Sequence, residues 1–305
     1  MVSLPGPVLS VIIPTFNNLA VLTRCLASWQ QCAQAQPIEI LVINDGCRDG
    51  TQDYLKELAR TPWGARYVRW ENQNDVHELK CTNRGFAEAS APLTLAWQDD
   101  MFLQRDWLVG ELIANLDRYP EIGLLGLSRG LNCFPLEEPI LEWENLIDWR
   151  RLQSTIGYGP LNWFRLQEVD TVIRPWVVRR ECLDEVGLLD EAFCPTEWDE
   201  ADLCFRIRKA GWKIATHGYE RLGAFRHLGS STMSRTPSLQ HQKLGLRNGQ
   251  LFHRRWDETI RLEHPRARRT WWRRSSVRGW MRTFQQVLCL SFKHQNRLET
   301  CEQDA

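Results

Sequence analysis

Two adjacent carboxylates, Asp99 and Asp100, close the apolar run Leu93-Thr94-Leu95-Ala96-Trp97. Side by side they repel each other unless a positive group sits near them. A hard divalent cation with oxygen ligands relieves that repulsion, and so does a solvated Asp-Asp turn. Further along, Asp199, Glu200 and Asp202 crowd the start of a helical pattern. Crowded carboxylates suit a general base; they also suit the positive end of a helix dipole. His227 ends the run Gly223-Ala224-Phe225-Arg226-His227 and reads as a metal ligand or as a partly buried histidine. Asp45 follows an apolar run in a Gly-flanked turn, where it either accepts from a base N–H or simply shapes the turn. Asn83-Arg84-Gly85 reads as a helix cap or as a phosphate and base contact. Neither GxGxxG nor GxxxxGK[ST] occurs, which leaves a dinucleotide fold or a P-loop unsupported.

The elements that must position these residues alternate. Val8–Ile13, Ile38–Ile43, Tyr67–Trp70 and Leu93–Trp97 are short, apolar and rich in β-branched or aromatic residues, as buried parallel strands are. Helices are expected between them. Leu19, Leu22, Leu26 and Trp29 recur at helical spacing after Asn17 or Asn18 as N-cap. Tyr54, Leu55 and Leu58 share one helix face, and residues 83–90 suit another helix. A helix capped by Asp106 is expected over 106–118, and one over 199–210 closed by Gly211. Val177-Val178, Trp212–Thr216 and Gly223–His227 suit strands, whereas residues 130–170 give no clear pattern. This order predicts an α/β fold with a mostly parallel central sheet flanked by helices. Ligands of such sheets bind beyond the carboxyl ends of the strands. Loops 14–17, 44–51 and 98–101 all lie there.

The chain has 305 residues, with 38 basic and 38 acidic side chains. The balance is uneven: residues 1–220 carry 21 basic and 32 acidic groups, residues 221–305 carry 17 and 6. An acidic body that binds an anionic substrate needs a cation to mediate. Hydrophobic content of 43% excludes wholesale disorder, and no apolar run is long enough to span a bilayer. The first residues lack a basic n-region, so a cytoplasmic location is expected. The ten cysteines form no CxxC pair, which argues against zinc and for reduced, mostly buried thiols. Fifteen tryptophans are costly to bury without N–H partners, so many are expected at surfaces or ligand walls. Segment 261–282 interleaves eight arginines with Trp271, Trp272 and Trp280. It suits packing on the acidic body, an interfacial helix on anionic lipid, or, least well, nucleic acid.

Seven stretches, in this order, resemble the inverting family 2 glycosyltransferases of GT-A fold. They are SVIIPTFNN (10–18), EILVINDGCRDGT (39–51), NRGFAEAS (83–90), LAWQDDM (95–101), VVRRECLDEVGLLDEAF (177–193), WDEADLCFRIRKAGWKI (198–214) and FRHLGSST (225–232). The resemblance implies a GT-A domain over 1–230 with a basic helical extension over 231–305. It implies transfer of a sugar from a nucleotide-diphosphate donor to a hydroxyl on a glycan, a lipid-linked saccharide or a small molecule. Pro14, Thr15, Phe16, Asn17, Lys80, Asn83 and Asp99 would line the donor, and Asp45 would hold its base. Asp100 matches the second aspartate of the metal-binding DxD motif, with His227 as the late histidine and Mn2+ or Mg2+ as the ion. The family's carboxylate base falls on Glu200 or Asp199, with Glu200 at the aligned position. Trp198, beside the base motif, would stack an acceptor or pack the helix entrance, Trp176 would shape the acceptor side, and Trp143, Trp149 and Trp163 lie where acceptor choice varies. Two positions depart from the pattern. Gln98 replaces the first DxD aspartate and would bond a ribose, and Asp199-Glu200 exchanges the usual Glu-Asp order. These departures keep open a non-catalytic nucleotide-sugar binder; a nucleotidyltransferase fits less well, for want of a glycine-rich loop after the first strand.

Overall fold

The computed structural model describes residues 6–33, 36–133, 163–229, 239–263 and 267–287. Trp143 and Trp149 lie outside the described residues. At the centre of a nine-stranded sheet, β1 (Leu9–Thr15) lies between β2 (Ile38–Asp45) and β4 (Leu93–Ala96), with β3 (Val68–Gln73) beyond β2; all four are parallel. On the other side β10 (Trp176–Arg179) runs antiparallel between β4 and β6 (Ile122–Gly126). β11 (Lys213–Thr216) is parallel to β6, and β8 (Arg165–Glu168) and β13 (Thr270–Trp272) follow in alternating direction. The sheet is therefore mixed, and parallel at its core. The reversal of β10 has a positional consequence. Trp176 pairs with Ala96, so the start of β10 lies at the carboxyl end of β4.

Strand periodicity divides the core into two layers. Val11, Ile13, Ile40 and Val42 pack with Leu22, Leu26 and Trp29 of α1 (Leu19–Cys32). Ile12, Leu41, Ala96 and Val178 face the other way, toward Phe86 of α4 (Glu78–Glu88) and Leu203 and Phe205 of α7 (Asp199–Lys209). The remaining helices of this body are α2 (Thr51–Arg60), α3 (Pro62–Tyr67), α5 (Trp107–Arg118) and α6 (Arg180–Val186). α3 is absent from the sequence reading, although Pro62 at its first position and the Thr61 hydroxyl accepting the Gly64 N–H (3.0 Å) are ordinary helix-start signals. α4 starts five residues before the expected 83. Asn18 occupies the N-cap of α1, but its side chain turns to Asp99, and Asp49 accepts the Leu19 N–H instead (2.8 Å).

Two further strand pairs stand outside the main sheet. β7 (Gly130–Leu131) pairs with β9 (Thr171–Val172). β5 (Met101–Leu103) pairs antiparallel with β12 (Phe225–His227), and His227 stands opposite Met101. The expected strand at Gly223–His227 thus exists, but it serves the Asp99-Asp100 loop rather than the sheet.

Many tryptophans expected at surfaces are core residues. Trp29, Trp97 and Trp176 are fully buried, and the Trp97 and Trp176 N–H groups donate to the Met101 carbonyl (3.0 Å) and Glu200 (3.1 Å). The eight cysteines among the described residues are free thiols, five of them buried.

The extension does not form one interfacial helix. α8 (Leu239–Glu263) packs on α7, β13 adds the last strand to the sheet, and α9 spans 277–287. Part of its arginines turn inward, as the reading of a tail packed on an acidic body expects. Arg268 makes two 2.6 Å bonds to Asp170, Arg278 bonds Asp106 at 2.8 Å, and the buried Arg273 meets His217 at 2.7 Å. Trp271 donates to Glu121 (2.8 Å). Among the described residues, no helix is long and apolar enough to cross a membrane.

Helix α4 lies so close to β1 that a Cβ on Gly85 would fall 2.2 Å from Ile12 Cγ2. Gly85→Ala is therefore expected to overpack the layer by about 1–3 kcal/mol, read as a lower midpoint in thermal unfolding.

Candidate active site

The carboxyl ends of β1, β2 and β4 bring three loops together through side-chain bonds. Thr15 donates its hydroxyl to Asp99 (2.7 Å), and the Asn18 amide donates to the other Asp99 oxygen (3.1 Å). Burial pushes the Asp99 carboxyl up to about 6, against the lowering effect of those two bonds. Asn17, in the left-handed region at φ 48°, accepts the Arg48 N–H (2.7 Å), while its own N–H points to Cys47 Sγ (3.0 Å). Asn tolerates that conformation better than most residues. The first and second loops are thereby joined. Pro14 is half-buried at the end of β1, and Phe16 is exposed at the loop tip.

Asp45 is buried and accepts the backbone N–H groups of Val76 (2.8 Å) and His77 (2.9 Å). It therefore fixes the turn that leads into α4, whose first residue is Glu78. Glu78 accepts from the Gln98 amide (3.2 Å) and from Arg174.

Arg174 is the residue that the sequence reading missed. It lies two positions before β10, and the antiparallel course of that strand delivers it to this edge of the sheet. Its buried guanidinium reaches Glu78, Glu200 (2.8 Å) and Asp199 (3.4 Å). Burial disfavours its charge, but the attraction of Glu78, Glu200 and Asp199 outweighs burial and raises its pKa. The arithmetic of an acidic body called for a cation, and a single Arg ahead of an apolar strand was the only available signal.

Asp199 and Glu200 open α7. Asp199 is buried; Glu200 keeps partial exposure and accepts the Trp176 N–H at 3.1 Å. Burial pushes both carboxyls upward, Arg174 opposes the rise, and the neighbouring acids add to it. The third member of the motif has a different task. Asp202 is fully buried and accepts from Arg206 (2.8 Å), Trp256 (2.9 Å) and Arg255 (3.1 Å), which ties α7 to α8.

The β5–β12 pair sets His227 Nε2 3.3 Å from Asp100 Oδ1. The neighbouring Asp100 carboxylate holds the imidazole pKa above its usual value. Asp100 Oδ2 and His227 Nε2 are buried atoms without a hydrogen-bond partner among the described residues. Two donor atoms left in this way fit a hard cation, although no group of three or more His, Cys, Asp or Glu side chains is arranged for a metal among the described residues.

Several expected contacts point elsewhere. Both ends of the Asn83 amide bond the Leu189 backbone (2.8 and 3.0 Å), so it clamps α4 to the segment after α6 and is not available along a nucleotide. Lys80 is exposed and 3.6 Å from Glu191. Trp176 is fully buried against Phe86, with ring centroids 5.6 Å apart, and offers no face to an acceptor. Trp163 is likewise buried. Trp198 is half-buried and packs on Phe252 of α8 (5.1 Å).

Arg174→Met would leave Glu78, Asp199 and Glu200 facing one another without a cation. Losing one partner of a buried ion pair costs about 3–5 kcal/mol. Urea unfolding is expected to show that loss near neutral pH, and the deficit should shrink as acid protonates Asp199 and Glu200, whose carboxyls burial already pushes upward.

The family described as Glycosyl transferase family 2 matches residues 10–185. Two validoxylamine A glucosyltransferases, from Streptomyces hygroscopicus subsp. jinggangensis (strain 5008) and subsp. limoneus, are each 26% identical over 234 residues. Those matches cover 70% of this chain and 52% and 49% of the two enzymes, so the chain spans about half the length of the curated relatives it matches. A crystal structure of S. aureus TarS 1–349 aligns with a TM-score of 0.45 at 16% identity, over 69% of this chain and 58% of that one. More than half of the chain falls within the family match, and the chain belongs to glycosyl transferase family 2.

Proposed function

We propose that the chain transfers a sugar from a nucleotide-diphosphate donor to an acceptor hydroxyl with inversion, and that Glu200 is the general base. One observation carries this assignment. Within the Arg174 cluster, Glu200 is the carboxylate at the head of α7 that is both oriented, by the Trp176 N–H and the Arg174 guanidinium, and partly open to solvent. Asp199 is the more enclosed of the two and serves to hold Arg174. The glucosyltransferase relatives favour a glucosyl donor for this chain.

In the proposed reaction, Glu200 takes the proton of the acceptor hydroxyl while that oxygen attacks the anomeric carbon from the face opposite the diphosphate. The new carbon–oxygen bond forms as the bond to the diphosphate breaks, and the departing electron pair stays on the diphosphate oxygen. Thr15, Asn17 and Asp99 would shape the donor side, and Asp45 would hold the turn that carries Glu78 while offering its remaining lone pairs to a base N–H. Asp100 and His227 would hold Mn2+ or Mg2+, which when bound neutralises charge on the leaving diphosphate.

Glu200→Gln keeps the size and the Trp176 contact but cannot accept a proton. It is expected to lower kcat by roughly 10²–10⁴-fold with donor binding unchanged in calorimetry. If Glu200→Gln retains turnover while Asp199→Asn abolishes it, the base is Asp199. Trp176 acts as a positioning residue, because its N–H favours the ionised form of Glu200. Removing that bond in Trp176→Phe raises the carboxyl pKa further, so the acid limb of the kcat/KM profile should move to higher pH. A profile that keeps its position while the maximum falls would mean that Trp176 has only a packing role.

A further inference from the structure

Five of the seven large hydrophobic side chains exposed among the described residues fall in one stretch of the extension: Leu262, Trp272, Val277, Met281 and Phe284. Three of them form a stripe on α9, at spacings of four and three residues that share one helix face. The opposite face is the buried one. Gly279 and Thr283 sit against the body, and a Cβ on Gly279 would fall 2.0 Å from Glu111 Oε1. The inward side of α9 thus carries the small and polar Gly279 and Thr283 beside the half-buried Trp280 and Val287, and Val277, Met281 and Phe284 face outward. Phe164 carries this patch toward β13: it stacks on Trp280 (4.9 Å) and contacts Phe284 (5.3 Å), while the adjacent Arg165 lies over the exposed Trp272 ring (4.7 Å).

The charge around the stripe is of one sign. Residues 267–287 hold six arginines and no acidic residue. Arg268, Arg273 and Arg282 turn inward, to Asp170, to His217 and to the Leu222 carbonyl. Arg269 and Arg274 remain exposed, and Arg278 is exposed even while it bonds Asp106. The apolar stripe is therefore edged by outward guanidinium groups.

The geometry points to α9 and the Trp272 edge of β13 as a docking surface for an anionic lipid bilayer. Exposed aliphatic and aromatic side chains edged by arginine match the boundary between acyl chains and negative headgroups. Nucleic acid fits less well, because Val277 and Met281 offer no ring to stack on a base. A second copy of the chain fits less well too. A convex stripe of a few side chains is far smaller than the roughly 800 Å² per partner of a stable interface.

Flotation of the whole chain with vesicles tests this surface. Vesicles of phosphatidylcholine with phosphatidylglycerol are expected to carry the protein upward and phosphatidylcholine alone is not, with binding reduced by salt. Val277→Asp and Met281→Asp are exposed changes that should leave the unfolding midpoint in place and cut the floated fraction roughly tenfold or more, as losing insertion of a large side chain would. No flotation with anionic vesicles, or flotation that both variants retain, overturns the proposal. So does a dimer in light scattering that Met281→Asp dissolves, or an oligonucleotide that competes the protein away from vesicles. None of these outcomes depends on sugar transfer, so the membrane surface and the proposed reaction succeed or fail separately.

Discussion

One guanidinium holds the two halves of the candidate site to each other. Arg174 faces Glu78 from the helix α4 and Asp199 and Glu200 from the helix α7. Three acids around one base leave an excess of negative charge in a poorly solvated place. Such an arrangement persists only when folding forces it, since each carboxylate alone would be better hydrated outside. Burial keeps the proton affinity of Asp199 and Glu200 above that of a free carboxylate, the neighbouring acids add to the rise, and Arg174 holds it back. The interaction that assembles the site is thus the one that tunes it.

From Arg174 the contacts run outward without a break. Glu78 joins it to Gln98, and Gln98 leads directly to Asp99 and Asp100. In the other direction, Asp45 fixes the turn at Val76 and His77 from which Glu78 departs. Gln98, which replaces a carboxylate of the family pattern, is suited to this place. A neutral amide can donate to Glu78, whereas a further acid would have added a fourth negative group. The family match ends at residue 185, yet Asp199, Glu200 and His227 lie in the same connected region through Arg174 and the β5–β12 pair.

Much of this was readable from the residues alone. The strands β1, β2 and β4 are apolar at nearly every position, so their place at the sheet centre and the gathering of their following loops came through clearly. Asp199 and Glu200 were legible because carboxylates packed at a helix start need a reason. Arg174 was not legible. Nothing in its neighbours reveals that β10 runs backward, and only that reversal carries it to the site. The three-residue strands β5 and β12 are too short to show a period, so the approach of His227 to Asp100 rested on resemblance. Asn83 and Trp176 were misjudged for a common reason: a polar or aromatic residue near a site looks like a ligand contact until its partners are seen, and both prove to be committed to the protein interior.

The bonds from Arg255 and Trp256 to Asp202 bind the extension to the same helical turn that bears Glu200. The C-terminal arm is consequently no interchangeable appendage. Without Arg255 and Trp256, the buried Asp202 would keep only Arg206 as a side-chain partner among the described residues, so the arm and the turn that carries Glu200 can change only together.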